Sequence, residues 1–388
     1  MATPQIIFFP VGNGDMTLIK LSNGQTILID INIRAPGEGV RDVLKDLREK
    51  LSEDEEGRPY VDVMVLSHPD QDHCRGLVEH FHLGSLFDYP VKGEASKIVI
   101  REMWSSPLVY RRASKTHTLS DDAKAWNTEA KRRVQLFKDE GALEDGDRIQ
   151  IMGEDADGKT DDVMEIVIKA GERITNVAGK SYENFSALLL APRNAESDED
   201  AEELTKNESS VIINYSIGTG ATPDAVKFLS AGDAEVYIWD KKLWSRYKNQ
   251  PEALEYDLLS TPHHCSWHTL SYDSWSGKGE EAKVCENARK ALSQTRAGAY
   301  IVASSNKIVD DKNDPPCIRA EREYKSIAKD ADGTFLNTAI HPCEKNPEPM
   351  TFEVHGGGVK PAWKTRSAAA ATSAAAAIGT QPLSHGSE

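Results

Sequence analysis

At 388 residues and 39% hydrophobic, the chain can bury one large core or two modest ones. No run approaches the roughly 20 apolar residues that a membrane-spanning helix needs. The formal net charge of -16 disfavours bulk electrostatic wrapping of long nucleic acid, because phosphate contacts need Lys and Arg.

The 5 cysteines (Cys74, Cys265, Cys285, Cys317 and Cys343) lack CxxC spacing. That argues against a disulfide framework or a zinc ribbon. The N-terminus "MATPQIIFFPVGNGD" has neither a basic leader nor a small-residue cleavage site, so a cytoplasmic setting is expected.

In chain order, "QIIFFPV", "MTLIKL" and "QTILIDI" read as short strands divided by Gly-rich turns, and Asn23-Gly24 is a hairpin signal. "VRDVLKDLREKL" (40–51) has helical spacing. The strand "VDVMVLS" (61–67) runs into "HPDQDH", and a helix is expected from Asp72 through "CRGLVEHFHL". A charged helix is predicted over 121–140, followed by strands in "DRIQIM", "MEIVIKA", "FSALLLAP", "SVIINYSI" and "VKFLSAG". The acidic run 194–207 reads as an exposed loop or frayed helix. "AEVYIWDKKLWSRY" (234–247) reads as a strand followed by a helix. The basic islands 110–115 and 130–138 are expected to be solvated faces. No tandem repeat occurs, which excludes solenoids and propellers. Two β-rich halves, each with helices, point to one α/β layered domain over 1–355. Residues 356–388, rich in Ala, Gly and Ser, are expected to form a flexible tail.

Chemistry concentrates where apolar strands end. The first such end presents His68, Asp70, Asp72 and His73 within six positions, a donor set suited to borderline or hard divalent metals. "FLSAGDAE" places Asp233 on a turn at a second strand end, and "LLSTPHHCS" places His263 and His264 at a third. One carboxylate can bridge two cations, which is the role expected of Asp233. Either His263 or His264 completes the set. Asp15 and Asp30 are expected near the site as positioning or capping groups. Ser304 and Asn306 are weaker candidates for substrate contact. Cys74 and Cys265 flank ligands without a base at triad-like spacing, and are read as packing residues.

"VGNGDMTLIKLSNGQTILIDI", "LSHPDQDHCRGL", "NESSVIINYS", "FLSAGDAE" and "LLSTPHHCS" occur in the order of the metallo-β-lactamase fold. They most resemble the hydrolase domain of the competence protein ComEC and its stand-alone relatives, over roughly residues 5 to 310. The resemblance implies a four-layer αβ/βα sandwich with a two-metal centre at the rim. It sets His68, Asp70, Asp72 and His73 on the HxHxDH loop, Asp233 on the bridging aspartate, and His263 or His264 on the late histidine. Asp70 stands where many relatives have His, Cys265 where they usually have Gly, and no histidine matches the intermediate ligand.

The expected function is metal-dependent hydrolysis of a phosphodiester, possibly DNA or a nucleotide, by a hydroxide activated between two divalent ions, Zn²⁺ or Mn²⁺. Asp70 adds an oxygen ligand that leans toward Mn²⁺, and Asp72 serves as ligand or proton acceptor. A lactone or ester hydrolase on the same scaffold, and a metal-binding partner module without strong catalysis, are the alternatives. Limited proteolysis should trim the tail after 356 first and leave one cooperative unit. Early cleavage into two stable halves near 194–207 would mark separate domains.

Overall fold

The opening strand carries apolar residues at successive positions, a pattern that requires cover on both faces. The computed structural model describes residues 2–90, 96–112, 118–141, 143–220 and 222–363, and it covers both faces. Ile6 and Phe8 of the strand Gln5–Phe8 enter one buried cluster, whereas Ile7 and the following Phe9 enter another. The class is mixed α/β. Among the described residues the strands form an 11-stranded sheet, a 7-stranded sheet and a 2-stranded ribbon.

In the larger sheet Gln5–Phe8, Thr17–Lys20 and Thr26–Ile29 pair antiparallel. The expected hairpin forms around Gly24, whose φ of 91° suits glycine. The sheet then runs parallel through Pro59–Val65, Ile98–Ser105 and Arg148–Met152. The smaller sheet is antiparallel from Phe185–Ala191 through Ile212–Thr219 to Thr222–Ser230. From there it is parallel through Tyr256–Ser260, Thr295–Ala303 and Thr334–Asn337.

Three apolar clusters hold these elements. One mixes residues of both sheets, with Phe8 edge-on to Phe228 at 5.6 Å between centroids and Tyr215 stacked on Phe228 at 5.8 Å. A second joins the larger sheet to Leu47 of helix Val43–Arg48 and Trp126 of helix Asp121–Glu140. The third joins the smaller sheet to Leu292 of helix Glu286–Leu292 and to Tyr324 and Ile327 of helix Ile318–Asp330. Each such side chain contributes roughly 1.5–3 kcal/mol by burial.

The helix Asp121–Glu140 matches its expected span because both ends are signalled locally. The Ser120 side chain accepts from the Ala123 amide, and Gly141 at φ 82° stops the helix. Three other expectations need correction. The helix predicted from Asp72 breaks into Gln71–Cys74 and Leu77–His80. At the break Ile33 donates to the Arg75 carbonyl at 3.0 Å and Gly76 takes φ 93°, so pairing with residues 31–33 overrides helical propensity. Residues 234–247 contain no strand; Ile238–Trp244 is wound as a π-helix, with Trp239 and Leu243 packed on the smaller sheet. The chain also stays ordered past 355, where Gly358–Pro361 pairs with Met350–His355. The tail beyond 363 lies outside the described residues.

No described helix is long and apolar enough to cross a membrane. The basic island at 130–138 is not simply a solvated face. Arg133 is 1% exposed, with Nε 2.7 Å from Glu129 Oε1, and it donates to the carbonyls of Arg148 and Ile100 at 3.0 and 3.1 Å. Arg133→Met should cost about 3 kcal/mol in urea unfolding, the low end for breaking a buried pair, because Arg132 still serves Glu129. A loss under about 1 kcal/mol would show that this buried network contributes little.

Candidate functional site

Ligands of open α/β sheets gather outside the carboxyl ends of parallel strands, and here five such ends carry the polar residues. Ile29 leads to Asp30, Val65 to the loop His68–His73, Ser230 to Asp233, Ser260 to His263 and His264, and Ala303 to Ser304. Asp30 anchors the first two of these ends. Its carboxylate accepts from the Ser67 amide at 2.7 Å and from the Ser67 hydroxyl, and lies 2.9 Å from His73 Nδ1. An imidazole held by a carboxylate at Nδ1 directs Nε2 toward its other partner, and His73 Nε2 stands 2.9 Å from Asp233 Oδ1.

Asp233 is the hub. The same Oδ1 is 3.4 Å from His264 Nε2, which is also 3.3 Å from Asp72 Oδ2. The other oxygen, Oδ2, lies 3.8 Å from both His68 Nδ1 and His263 Nε2. Asp15 Oδ2 approaches His73 Nδ1 at 3.9 Å and His264 Nδ1 at 4.0 Å. His263 turns instead to Glu235, 3.3 Å away. So His264 joins the set around Asp72 and His73, whereas His263 flanks Asp233 from the side of Glu235.

The ionic balance inside is unusual for a buried place. His68 and His73 are 0% exposed, His264 1% and Asp233 3%. Both ring nitrogens of His68 and of His264, and Asp15 Oδ1, are buried without a hydrogen-bond partner among the described residues. Burial pushes the Asp15 carboxyl up to about 6 and the His68 imidazole down to about 4. Burial also works against charge on His263, but Asp233 and Glu235 outweigh it and lift that ring to about 9. Asp72, despite burial, is held down at about 2 by His264 and His73. Carboxylates and imidazoles packed this closely need either protons or a cation between them. Ligand atoms of Asp72, His73 and His264, and likewise of His68, His73 and Asp233, lie within 4.8 Å of one another.

The structure therefore brings together His68, Asp70, Asp72, His73, Asp233, His263 and His264, with Asp15 and Asp30 beside them. Ser304 is not available for substrate. It is 1% exposed, and its hydroxyl donates to the Gly14 carbonyl at 2.7 Å. Asn306 is exposed at the same loop, its amide donating to Asn13 Oδ1 at 2.9 Å. Cys74 and Cys265 are fully buried, consistent with packing. Sequence reasoning missed Glu235 and Lys206. Lys206 Nζ sits 2.5 Å from Asp70 Oδ2, and the available signal was its place as the sole cation in the acidic run 194–207.

No protein-family model matches the chain, and no curated protein matches it either.

Asp30 has φ 53°, a left-handed conformation that Asn also tolerates. Asp30→Asn should therefore keep the backbone while setting an NH₂ group against one of its three donors. The expected loss is about 1–3 kcal/mol. Asp30→Ala should cost more, since all three donors are stranded and a left-handed alanine is strained. Equal stability of both variants and the parent in urea unfolding would remove Asp30 as the anchor.

Proposed function

We propose that this chain is a metal-dependent hydrolase of the metallo-β-lactamase type, a four-layer αβ/βα sandwich acting on phosphodiesters. One observation carries the reading: Asp72, His73, Asp233 and His264, from three separate strand ends, converge in one cluster where imidazole nitrogens face carboxylate oxygens. The three apolar clusters, one between the sheets and one outside each, support the layered architecture. The placement of His264 supports a cation, because its Nε2 lies 3.3 and 3.4 Å from two carboxylate oxygens and its Nδ1 is buried without a hydrogen-bond partner among the described residues.

A divalent ion at that place would supply charge neutralisation and a water of lowered pKa. Four residues of the chain would hold it: Asp72 and Asp233 through carboxylate oxygen, His73 and His264 through Nε2. Asp30 keeps the His73 ring oriented, and Asp15 lies within 4.0 Å of both rings. Asp72, whose side chain is 33% exposed, is the most exposed of the four, and its oxygen turned away from His264 would be the one to take a proton from an attacking water. A phosphodiester is favoured over a neutral ester because a bound divalent ion and the Lys206 ammonium at Asp70 would together attract an anionic oxygen. Arg34 borders the Gly12 loop, where a Cβ on Gly12 would lie 3.1 Å from Arg34 Nη2 and 2.8 Å from Asn306 Oδ1. Among the described residues neither Arg34 nor the adjoining Arg75 has a carboxylate partner.

The basic islands lend little to long-range DNA binding. Arg111 is paired with Asp155, Arg132 with Glu129 and Asp147, and Lys138 with Asp162; residues 113–115 lie outside the described residues. Nucleotides or short single strands are thus the favoured substrates, turned over in the cytoplasm.

A panel of bis-p-nitrophenyl phosphate, single-stranded DNA, a lactone and a cephalosporin, run with Mn²⁺ and with Zn²⁺, tests this reading. Phosphodiester turnover is expected, abolished by EDTA and restored by Mn²⁺ at least as well as by Zn²⁺. Asp72→Asn should lower kcat by about 10²–10⁴, and Asp233→Ala should abolish both metal uptake and turnover. Turnover of the lactone with none of either phosphodiester would transfer the reading to an ester hydrolase. No metal uptake and no turnover at all would leave a partner module.

A further inference from the structure

We propose that the ammonium of Lys206 occupies the second cation position of this centre, so that the protein takes up one divalent ion and not two. The inference rests on the metal-centre reading above and departs from the two-ion expectation drawn from the sequence.

The second position is framed by His68, Asp70 and Asp233. His68 Nδ1 lies 3.7 Å from Asp70 Oδ2 and 3.8 Å from Asp233 Oδ2. Lys206 Nζ reaches the same Asp70 Oδ2, at 2.5 Å. A metal bound to that oxygen would sit at roughly 2.0–2.2 Å from it, which would set a divalent ion against an ammonium on a single acceptor. The position also lacks a further imidazole, since residues 184–219 contain no histidine.

Lys206 is held there by its surroundings. Its side chain is 21% exposed, and it immediately precedes the short turn Asn207–Ser209. That turn is clamped on several sides. Asn207 Nδ2 donates to Glu235 Oε1 at 2.7 Å, the Ser209 amide donates to the Lys206 carbonyl at 3.2 Å, and the Val211 amide donates to the Ser67 carbonyl at 2.9 Å. The last bond ties the Lys206 segment to the residue just before His68. A compact ammonium with three donors on a flexible stem can meet Asp70 with one N–H and keep others for an anionic substrate oxygen. The second ion's neutralising role thus falls to a side chain of fixed single charge.

The test is metal stoichiometry, read by calorimetric titration of metal-free protein with Mn²⁺ and with Zn²⁺ and by elemental analysis. The parent should take up one ion per chain. Lys206→His, which restores an imidazole, and Lys206→Met, which keeps the stem and removes the charge, should each take up a second ion, bound at least tenfold more weakly than the first. Far-UV circular dichroism and the Tm identify any variant that fails to fold, and either folded variant suffices. Two ions bound by the parent, or one ion in both folded variants, would overturn the assignment while leaving the metal centre standing. No ion bound by the parent would remove the metal centre and this inference together.

Discussion

The burial of Asp233 is the constraint on which the rest of the site depends. A carboxylate taken out of water is costly unless its lone pairs meet donors or cations, and Asp233 is 3% exposed. Its two oxygens are met from opposite sides, Oδ1 by His73 and His264, Oδ2 by His68 and His263. His68 and His73 follow a strand of the larger sheet, whereas Asp233, His263 and His264 follow strands of the smaller one. Compensating one buried charge therefore pins the two sheets together at their carboxyl ends. Gly232 makes the approach possible. At φ 49° a Cβ there would stand 2.6 Å from Ser67 Oγ, so the loop carrying Asp233 can close on the His68 loop only without a side chain.

Backbone strain is concentrated at the same place. His263, His264 and Cys265 are consecutive non-glycine residues at φ 49°, 53° and 68°, and each costs of order 1–3 kcal/mol when held off its preferred region. Hydrogen bonds on both sides hold the turn: the His263 amide donates to the Gly232 carbonyl, and the Ser266 amide to the His263 carbonyl, each at 2.9 Å. The left-handed turn points His263 and His264 to different partners, one to Glu235 and one to Asp72.

Much of this was legible from local patterns. Apolar runs ending in His or Asp marked the strand ends, Asn23-Gly24 marked the hairpin, and the charged run 121–140 marked the long helix. What escaped was set by tertiary contact. The break at Gly76 depends on the chain returning to pair with residues 31–33. The π-wound segment Ile238–Trp244 looked strand-like because Val236, Tyr237, Ile238 and Trp239 form an unbroken apolar run, which periodicity alone does not assign. The choice between His263 and His264 rests on two left-handed residues, a conformation that their side chains do not advertise. Lys206 belongs to no motif, and only the fold of an acidic loop carries it to Asp70.

Charge on two length scales then bears on what the proposed hydrolase can accept. The net charge of -16 repels a polyanion at a distance, but salt screens that field beyond about 8 Å at physiological ionic strength. Inside that range the local groups take over, and the cation shown against the site's carboxylates is Lys206. Lys206 is already engaged by Asp70, and the neighbouring carboxylates still exceed the fixed cations. A phosphate diester would thus be admitted only when a divalent ion has entered first and shifted that balance. On the proposed reading, metal uptake orders the events as well as supplying charge: the site filters for a cation, and the cation makes it a site for an anion.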